Sequence, residues 1–126
     1  ENGLLTALEQ LAGYIHRAFD VECTFQFPLD MVNYKQEVAI HLYRITQEAV
    51  SNAIKHGKAS RITISLFTNG SNFNLCIADN GIGLEPGNPL HSSGMGLRIM
   101  EYRASLIGAT FTIQNLPQGG TIVSVK

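Results

Sequence analysis

Two turn signals divide much of this chain into paired strand-like segments and restrict the folds that are open to it. Asn69-Gly70 lies between two runs in which apolar and polar residues alternate, a pattern typical of a β-hairpin. Gln118-Gly119-Gly120 precedes a β-branched run from Ile122 to Val125, which predicts a second pair of strands. The same alternation predicts a further strand over residues 22–27. The fold therefore contains a sheet that is mostly antiparallel.

Three other segments repeat apolar residues at the three- and four-residue spacing of an amphipathic helix. Their predicted buried stripes are Leu4, Leu8, Leu11, Ile15 and Ala18 in the first; Val38, Leu42, Ile45, Ala49 and Ala53 in the second, from about Asn33 to His56; and Leu97, Met100, Ala104 and Ile107 in the third, from Gly96. Helices combined with hairpins predict an α+β fold. We expect a two-layer α/β sandwich, with a mixed, mostly antiparallel sheet and about three helices on one face.

The composition supports a single packed domain and excludes some classes of partner. The chain has 126 residues, of which 44% are hydrophobic and 15% charged. A net charge of −1 gives no strong attraction to nucleic acid or to an anionic membrane, and no apolar stretch approaches membrane-spanning length. The spacing of Cys23 and Cys76 is not that of a metal site; it leaves a disulfide open but favours free thiols in a cytoplasmic protein. Because the chain begins with Glu1, we expect a fragment of a longer protein.

A polar stripe runs along the long predicted helix beside its apolar stripe. Glu48 and Asn52 are one turn apart and share a face, as do His41, Lys55 and, close by, His56. A carboxylate and an amide oxygen so placed are suitable ligands for Mg²⁺ or its waters. The alternative is the solvated face of an amphipathic helix. Asparagine is a poor residue for the middle of a helix, so Asn52 indicates a close partner without identifying it.

The second motif, Asp79-Asn80-Gly81-Ile82-Gly83, follows directly on a predicted strand. The carboxylate of Asp79 can accept a hydrogen bond from an exocyclic amine such as adenine N6. Gly81 and Gly83 are predicted to adopt φ > 0 and to let a flat ring approach the backbone closely. The alternative is a type I′ hairpin turn. No alternating strand follows this turn, since residues 85–93 form a loop rich in Gly, Pro and Ser.

The third motif, Gly94-Met95-Gly96-Leu97, lies where the last predicted helix begins. Free backbone N–H groups and the helix dipole make such a start suitable for phosphate oxygens. A flexible loop that enters a helix is the alternative. The motif is neither a Walker sequence nor a dinucleotide-binding fingerprint, because it lacks the Gly-Lys-Ser/Thr run and a preceding strand.

In this order the three motifs indicate an ATP site, and they resemble those of a known family. Residues 41–57 resemble the N box of bacterial sensor histidine kinases, closest to the subgroup paired with helix-turn-helix response regulators. Residues 79–83 resemble the G1 box, residues 94–104 the G2 box and residues 119–123 the closing Gly-Gly-Thr strand. The resemblance implies the Bergerat ATP-binding sandwich, which gyrase, the heat-shock ATPase chaperone and mismatch-repair ATPases share.

The resemblance also implies roles for particular residues. Asn52 would be a Mg²⁺ ligand, and Glu48 would act on a metal-bound water or polarise the phosphate acceptor. Lys55 and His56 would contact phosphate or ribose, and Asp79 would bind adenine N6. The other residues implied in ATP binding are Gly81 and Gly83 at the ring, Thr121 near adenine, and Gly94, Met95, Gly96 and Leu97 around the phosphates.

The phosphoacceptor of such kinases lies upstream, in a His-Asp or His-Glu sequence on a dimerising helical hairpin, and no histidine here has that context. We interpret His16 and His91 as surface residues and His41 as helix-face packing. The resemblance implies a cytoplasmic ATP-binding domain, monomeric when isolated, whose partners are a phosphoacceptor domain of the same protein and a response regulator. The resemblance leaves open whether the parent is anchored in a membrane, which this fragment would not touch. A free-standing anti-sigma factor with serine kinase activity, and a docking module that binds no ATP, remain as alternatives.

Overall fold

The computed structural model describes residues 3–27, 34–70, 72–83 and 95–126. Within these ranges the chain forms three α-helices and five β-strands. In chain order they are α1 (Gly3–Phe19), β1 (Glu22–Gln26), α2 (Gln36–Lys55), β2 (Arg61–Asn69), β3 (Asn72–Asp79), α3 (Met95–Leu106), β4 (Phe111–Asn115) and β5 (Thr121–Val125). None of the described helices is long and apolar enough to cross a membrane.

The five strands form one mixed sheet in the order β1-β2-β3-β5-β4. Only β1 and β2 are parallel, because α2 crosses over between them, and the other neighbouring pairs are antiparallel. The hairpin predicted at Asn69-Gly70 is present: Asn69 pairs with Asn72, and Gly70 has φ +66°. Strand β3 is hydrogen-bonded on both sides, so that Asp79 leaves the sheet from its interior rather than from an edge.

One face of the sheet is covered by the three helices, as predicted. The alternating residues Ile62, Ile64 and Leu66 of β2 are at most 1% exposed, whereas Thr63 and Ser65 between them are partly exposed. Their partners include the fully buried Leu8 of α1, Leu42 and Ile45 of α2, and Met100 of α3. The core therefore lies between the helical layer and one face of the sheet, and α2 packs against both β2 and β3.

Some predicted boundaries and faces differ from the structure. Ala18 is exposed rather than buried, because α1 ends at Phe19 and Asp20, with φ +56°, turns the chain toward β1. The helix predicted from about Asn33 begins at Gln36, and Asn33 itself lies outside the described residues. Phe27 follows the end of β1 and is 38% exposed, with its ring stacked on that of Phe25 at 4.9 Å. In α3, Leu97 and Ile107 are only partly buried.

The end of α2 uses a tight turn that positions the site described below. His56 is the C-terminal cap, and Gly57 occupies the next position, as predicted. The left-handed conformation falls on Lys58, with φ +53°, and not on Gly57. The N–H of Ala59 donates to the carbonyl of Ala53 at 3.0 Å, which closes the turn. The chain thereby reverses toward β2, and the carbonyl of Gly57 faces the end of β3.

Both cysteines are free thiols, which agrees with the preferred interpretation of their spacing. Cys23 is buried on β1, and Cys76 is partly exposed on β3. Burial raises the pKa of the Cys23 thiol to about 11. Cys23 therefore stays protonated at neutral pH and behaves as a small apolar core residue.

Candidate functional site

A concave pocket lies between the C-terminal half of α2 and the ends of β3 and β5. Its empty space, counted together with the open solvent at its mouth, is about 430 Å³. Its lining combines the apolar residues Ala49, Ala53, Ile77, Ile113 and Val123, the polar residues Asn52, His56, Asp79 and Thr121, and the glycines Gly57 and Gly83. Apolar walls with a few convergent polar groups are typical of a small-molecule site.

Asp79 is the polar group at the strand end of this pocket. Its Oδ1 accepts a hydrogen bond from the N–H of Gly81 at 2.8 Å, and the backbone N–H of Thr121 donates to the same carboxyl group. Burial raises the pKa of Asp79 above its ordinary value of 3.8, although both N–H groups act in the opposite direction. A carboxylate offers about four acceptor positions, so two backbone donors leave capacity for a ligand amine.

The two glycines after Asp79 have different structural roles. Gly83 has φ +80°, as predicted, whereas Gly81 does not have positive φ, so that part of the prediction is wrong. Gly81 instead lies against the carbonyl oxygen of Gly57, where a Cβ atom would overlap that oxygen. The N–H of Ile82 donates to the same carbonyl at 2.9 Å. Glycine is required at position 81 because two backbone segments meet there.

Gly120 forms a similar backbone contact on the other side of Asp79. It has φ +95°, and a Cβ atom there would overlap the carbonyl oxygen of Asp79 and lie 2.9 Å from Cα of Asn80. The Gly-Gly-Thr sequence was recognised, but its packing on Asp79 was not predicted. The contact holds Thr121 where its N–H reaches the Asp79 carboxyl group.

Asn80 is a positioning residue that the sequence did not reveal. Its Oδ1 accepts hydrogen bonds from the backbone N–H groups of Ser60 and Arg61, each at 2.9 Å. Its Nδ2 donates to Oγ of Ser60 at 3.0 Å. The side chain of Asn80 thereby joins the end of β3 to the start of β2. Its partners lie about twenty residues earlier in the chain, so no local pattern indicates them.

Glu48 and Asn52 meet the start of α3 at Gly96. A Cβ atom on Gly96 would overlap the Glu48 carboxylate and lie 3.4 Å from Nδ2 of Asn52. Nδ2 of Asn52 is buried and has no hydrogen-bond partner among the residues that the structure describes. An unsatisfied buried donor costs about 1–3 kcal/mol. Such an orphaned amide beside a carboxylate and a helix start fits a site for phosphate oxygens and a hard cation.

The remaining predicted residues are distributed around this centre. His56 and Thr121 line the pocket. Lys55 is exposed and lies in a neighbouring groove between α1 and α2, so the structure does not bring it into the pocket. Met95 is 73% exposed, and Leu97 packs partly buried against the core. Gly94 and the predicted lid loop, residues 85–93, lie outside the described residues.

The described part of the chain contains no group of three or more His, Cys, Asp or Glu residues that would hold a metal ion. Glu48 and Asn52 would therefore be too few ligands to enclose a cation alone. This arrangement fits Mg²⁺, which keeps several waters and is bound through one or two protein groups together with substrate phosphates.

The sequence and the fold match a known class of protein. Residues 37–126 match the family described as histidine kinase-, DNA gyrase B- and HSP90-like ATPases. The chain belongs to this family and has the characteristics of a histidine kinase catalytic domain. The predicted Bergerat-type sandwich is confirmed.

Individual relatives are sensor proteins of bacteria. The chain is 46% identical over 86 residues to the sensor protein VraS of Staphylococcus saprophyticus, a match that covers 68% of this chain and 24% of that protein. VraS of Staphylococcus aureus is 45% identical over the same length, with the same coverage. The chain thus spans about a quarter of the length of the curated relatives that it matches.

Two solved structures have the same fold. The ATP-binding domain of PrrB from Mycobacterium tuberculosis superposes with a TM-score of 0.75 at 24% identity, over 96% of this chain and 90% of that one. The histidine kinase domain of the blue-light activated kinase of Erythrobacter litoralis EL346 gives a TM-score of 0.76 at 21% identity, over 97% and 59% of the two chains.

Proposed function

We propose that this domain binds Mg-ATP in the pocket beside Asp79 and donates the γ-phosphoryl group to a histidine on a separate dimerisation domain of the same protein. The observation that carries the proposal is the pairing of two polar groups across one pocket. A carboxyl group with spare acceptor capacity, Asp79, lies at one end. At the other end lies Asn52, whose buried Nδ2 has no partner within the described part of the chain. Membership of the ATPase family and the sensor relatives support it.

The adenine end of the pocket is formed by Asp79 and its apolar neighbours. The backbone donors of Gly81 and Thr121 fix the carboxyl group, whose remaining lone pairs accept the exocyclic amine of adenine. Ile77 and Val123 give the ring an apolar environment, and Gly83 lines the same pocket. This combination favours a purine with an amine donor over one with a carbonyl oxygen.

The phosphate end is formed by α2 and the start of α3. The first N–H groups of α3, from Met95 onward, have no partner within the helix and would donate to phosphate oxygens, with Gly96 close to Glu48 and Asn52. A contact between Gly94 and the phosphates remains a prediction from the sequence. His56 borders the pocket at the ribose and phosphates. A contact between Lys55 and a phosphate remains a prediction from the sequence, and it requires the side chain to turn from its groove.

Glu48 and Asn52 would hold the Mg²⁺ ion, directly or through its waters. When bound, the ion neutralises charge on the phosphates. The chain's own contribution is to keep an amide and a carboxylate one helical turn apart on a rigid helix, with Gly96 leaving room above them. Phosphoryl transfer depends mainly on such positioning and on charge stabilisation. The attacking histidine would come from the other domain.

The proposed setting is two-component signalling in the cytoplasm. The partners are the phosphoacceptor domain of the same protein and, downstream, a response regulator. A net charge of −1 gives no basis for nucleic-acid binding. We expect the isolated domain to be a monomer and to show little turnover, because the histidine that it phosphorylates is not on it. We also expect it to make no membrane contact.

Autophosphorylation of the full-length protein with γ-labelled ATP tests this proposal. Asn52→Ala removes the amide from the pocket, and Asn74→Ala makes the same change at an exposed position on β3. Label should appear on histidine, survive in Asn74→Ala and be lost in Asn52→Ala. Label on a serine of a separate protein would instead favour the anti-sigma type of kinase. Full histidine labelling in Asn52→Ala would contradict the proposed site.

A further inference from the structure

A polar contact joins α2 to α3 at the end that lies away from the nucleotide pocket. Nη1 of Arg103 lies 3.1 Å from Nδ1 of His41, and both residues are partly buried. His41 belongs to the same polar stripe of α2 as Glu48 and Asn52. Its role in the stripe was interpreted as packing, and no function has been assigned to Arg103.

Two contacts between α2 and α3, seven residues apart on each helix, fix the register of one helix on the other. His41 precedes Glu48 by seven residues on α2, and Arg103 follows Gly96 by seven residues on α3. His41 meets Arg103, and Glu48 meets Gly96, so the two helices run antiparallel with matched steps of about 10.5 Å. Between the two contacts, Ile45 of α2 and Met100 of α3 are buried and apolar, so they contribute packing without directional bonds.

The protonation state of His41 follows from the chemistry of its partner. Arginine is always a donor, so Nδ1 of His41 must accept the hydrogen bond and must carry no proton. Protonation would replace this bond with two cations in contact. Histidine is the side chain that ordinarily gains a proton between pH 5 and 8.

We propose that the His41–Arg103 hydrogen bond is a positioning contact that sets the register of α3 on α2, keeps Gly96 over Glu48 and Asn52, and is released when His41 is protonated. ATP affinity then falls in mild acid through the phosphate end of the site. The inference rests on the proposed ATP site. His41 and Arg103 do not touch the nucleotide, and they act through the position of Gly96.

The surroundings of His41 contain few other charges. On α2, Glu37 lies one turn before it and Arg44 lies nearly one turn after it, with Arg44 bonded to Gln47 at 2.9 Å. The other charged residues of α3, Arg98 and Glu101, are exposed. The buried face of α1 is apolar, and so are the buried residues of β2 and β3, the strands that pack against α2. Among the described residues, Arg103 is therefore the charged group that contacts His41 from another element.

Calorimetry of Mg-ATP binding at about pH 6 and pH 8 tests the proposal. The proteins are the wild type, His41→Gln, which keeps an acceptor but does not titrate, and Arg103→Met, which keeps the apolar stem but loses the donor. Adenosine serves as a probe that lacks phosphates. Since ATP itself and other groups of the protein also change protonation with pH, the pH response is compared between proteins and not read from the wild type alone.

We expect Arg103→Met to bind ATP about fivefold more weakly than the wild type at pH 8, with adenosine affinity unchanged. His41→Gln should retain wild-type affinity at pH 8. It should also bind more tightly than the wild type at pH 6, by up to about fivefold, which is the loss expected when a hydrogen bond to a charged group is broken completely. Variants that match the wild type in both affinity and pH response would overturn the proposal.

A second measurement separates this inference from the proposed function. Amide hydrogen exchange of residues 97–100 in the nucleotide-free domain reports how firmly α3 is held. The proposal predicts that these amides exchange faster in Arg103→Met than in the wild type. At pH 6 they should also exchange faster in the wild type than in His41→Gln. Both comparisons are made after correction for intrinsic exchange rates. Unchanged exchange would refute the positioning role. Faster exchange in a protein that binds no ATP would refute only the proposed ATP site.

Discussion

The carbonyl of Gly57 accepts a hydrogen bond from the N–H of Ile82 at 2.9 Å, which joins the end of α2 to the turn that follows Asp79. Gly81 lies against that same carbonyl with no room for a side chain. At this junction, backbone atoms join the helix that carries Asn52 to the strand that carries Asp79. The distance between the two ends of the pocket depends on this junction.

Gly81→Ala should therefore damage both stability and binding. The added Cβ would overlap a backbone carbonyl that cannot rotate away, and such overpacking costs about 1–3 kcal/mol. Denaturant unfolding measures the loss in stability, and calorimetry measures the loss in ATP affinity. Gly3→Ala, with no atom within 4 Å of its added Cβ, is the control and should be close to neutral. A Gly81→Ala protein as stable as that control would contradict the junction.

Gly96→Ala should separate stability from binding. Its Cβ would meet the carboxylate of Glu48, the mobile end of a side chain that can move aside. Alanine in a helix is favoured over glycine by about 0.5–1 kcal/mol, so the unfolding free energy should not fall. ATP affinity in Mg²⁺ should fall about tenfold, or about 1.4 kcal/mol, because Glu48 is displaced and the phosphate approach is narrowed. If Gly96→Ala bound ATP as tightly as the wild type, the placement of Gly96 beside the bound phosphates would be contradicted.

Asn52→Ala should also leave the nucleotide-free domain at least as stable as the wild type. The substitution removes a buried donor that has no partner and replaces a poor helix residue with a good one. Thermal unfolding should show an unchanged or higher midpoint, while the Mg²⁺-dependent part of ATP binding is lost. A clear drop in stability would show that Asn52 has a structural partner instead of a functional one.

The stability of the nucleotide-free domain should depend on pH through Asp79. Burial raises the folded-state pKa of this carboxyl group above 3.8, so its contribution to stability is full below that pH and is lost as pH rises through the raised pKa. Relative to Asp79→Asn, the wild type should thus lose unfolding free energy between about pH 4 and neutrality. Asp20→Asn, the same change at an exposed residue, is the control. If the wild type instead gained unfolding free energy relative to Asp79→Asn over this pH range, the conclusion that burial raises the pKa of Asp79 would be contradicted.

The sequence predicted the elements and the local motifs well because both depend on nearby residues. Helical spacing identified α1, α2 and α3, and alternation identified the strands that flank Asn69-Gly70. Asp79 and Thr121, which are far apart in the chain, were both assigned to the pocket through the resemblance, and the structure brings them into contact. Helix ends were less accurate, as Ala18 shows, because the end of α1 depends on where Asp20 turns the chain.

Contacts between distant backbone segments were not predictable from local patterns. Periodicity does not reveal that β5 lies beside β3, and so it does not place Gly120 on Asp79. Glycine at position 81 was attributed to its backbone angle, whereas the structure shows that the Gly57 carbonyl requires it. The hydrogen bonds of the Asn80 side chain to the start of β2 likewise depend on tertiary packing. The same is true of the position of the Lys55 side chain in the groove between α1 and α2.

Calorimetric titration of ATP, with and without Mg²⁺, into the wild type, Asp79→Asn and Asp20→Asn tests the central claim most directly. The account predicts metal-enhanced binding to the wild type, the same binding to Asp20→Asn, and none to a folded Asp79→Asn protein. Retained ATP affinity in Asp79→Asn would contradict the assignment of this pocket to adenine.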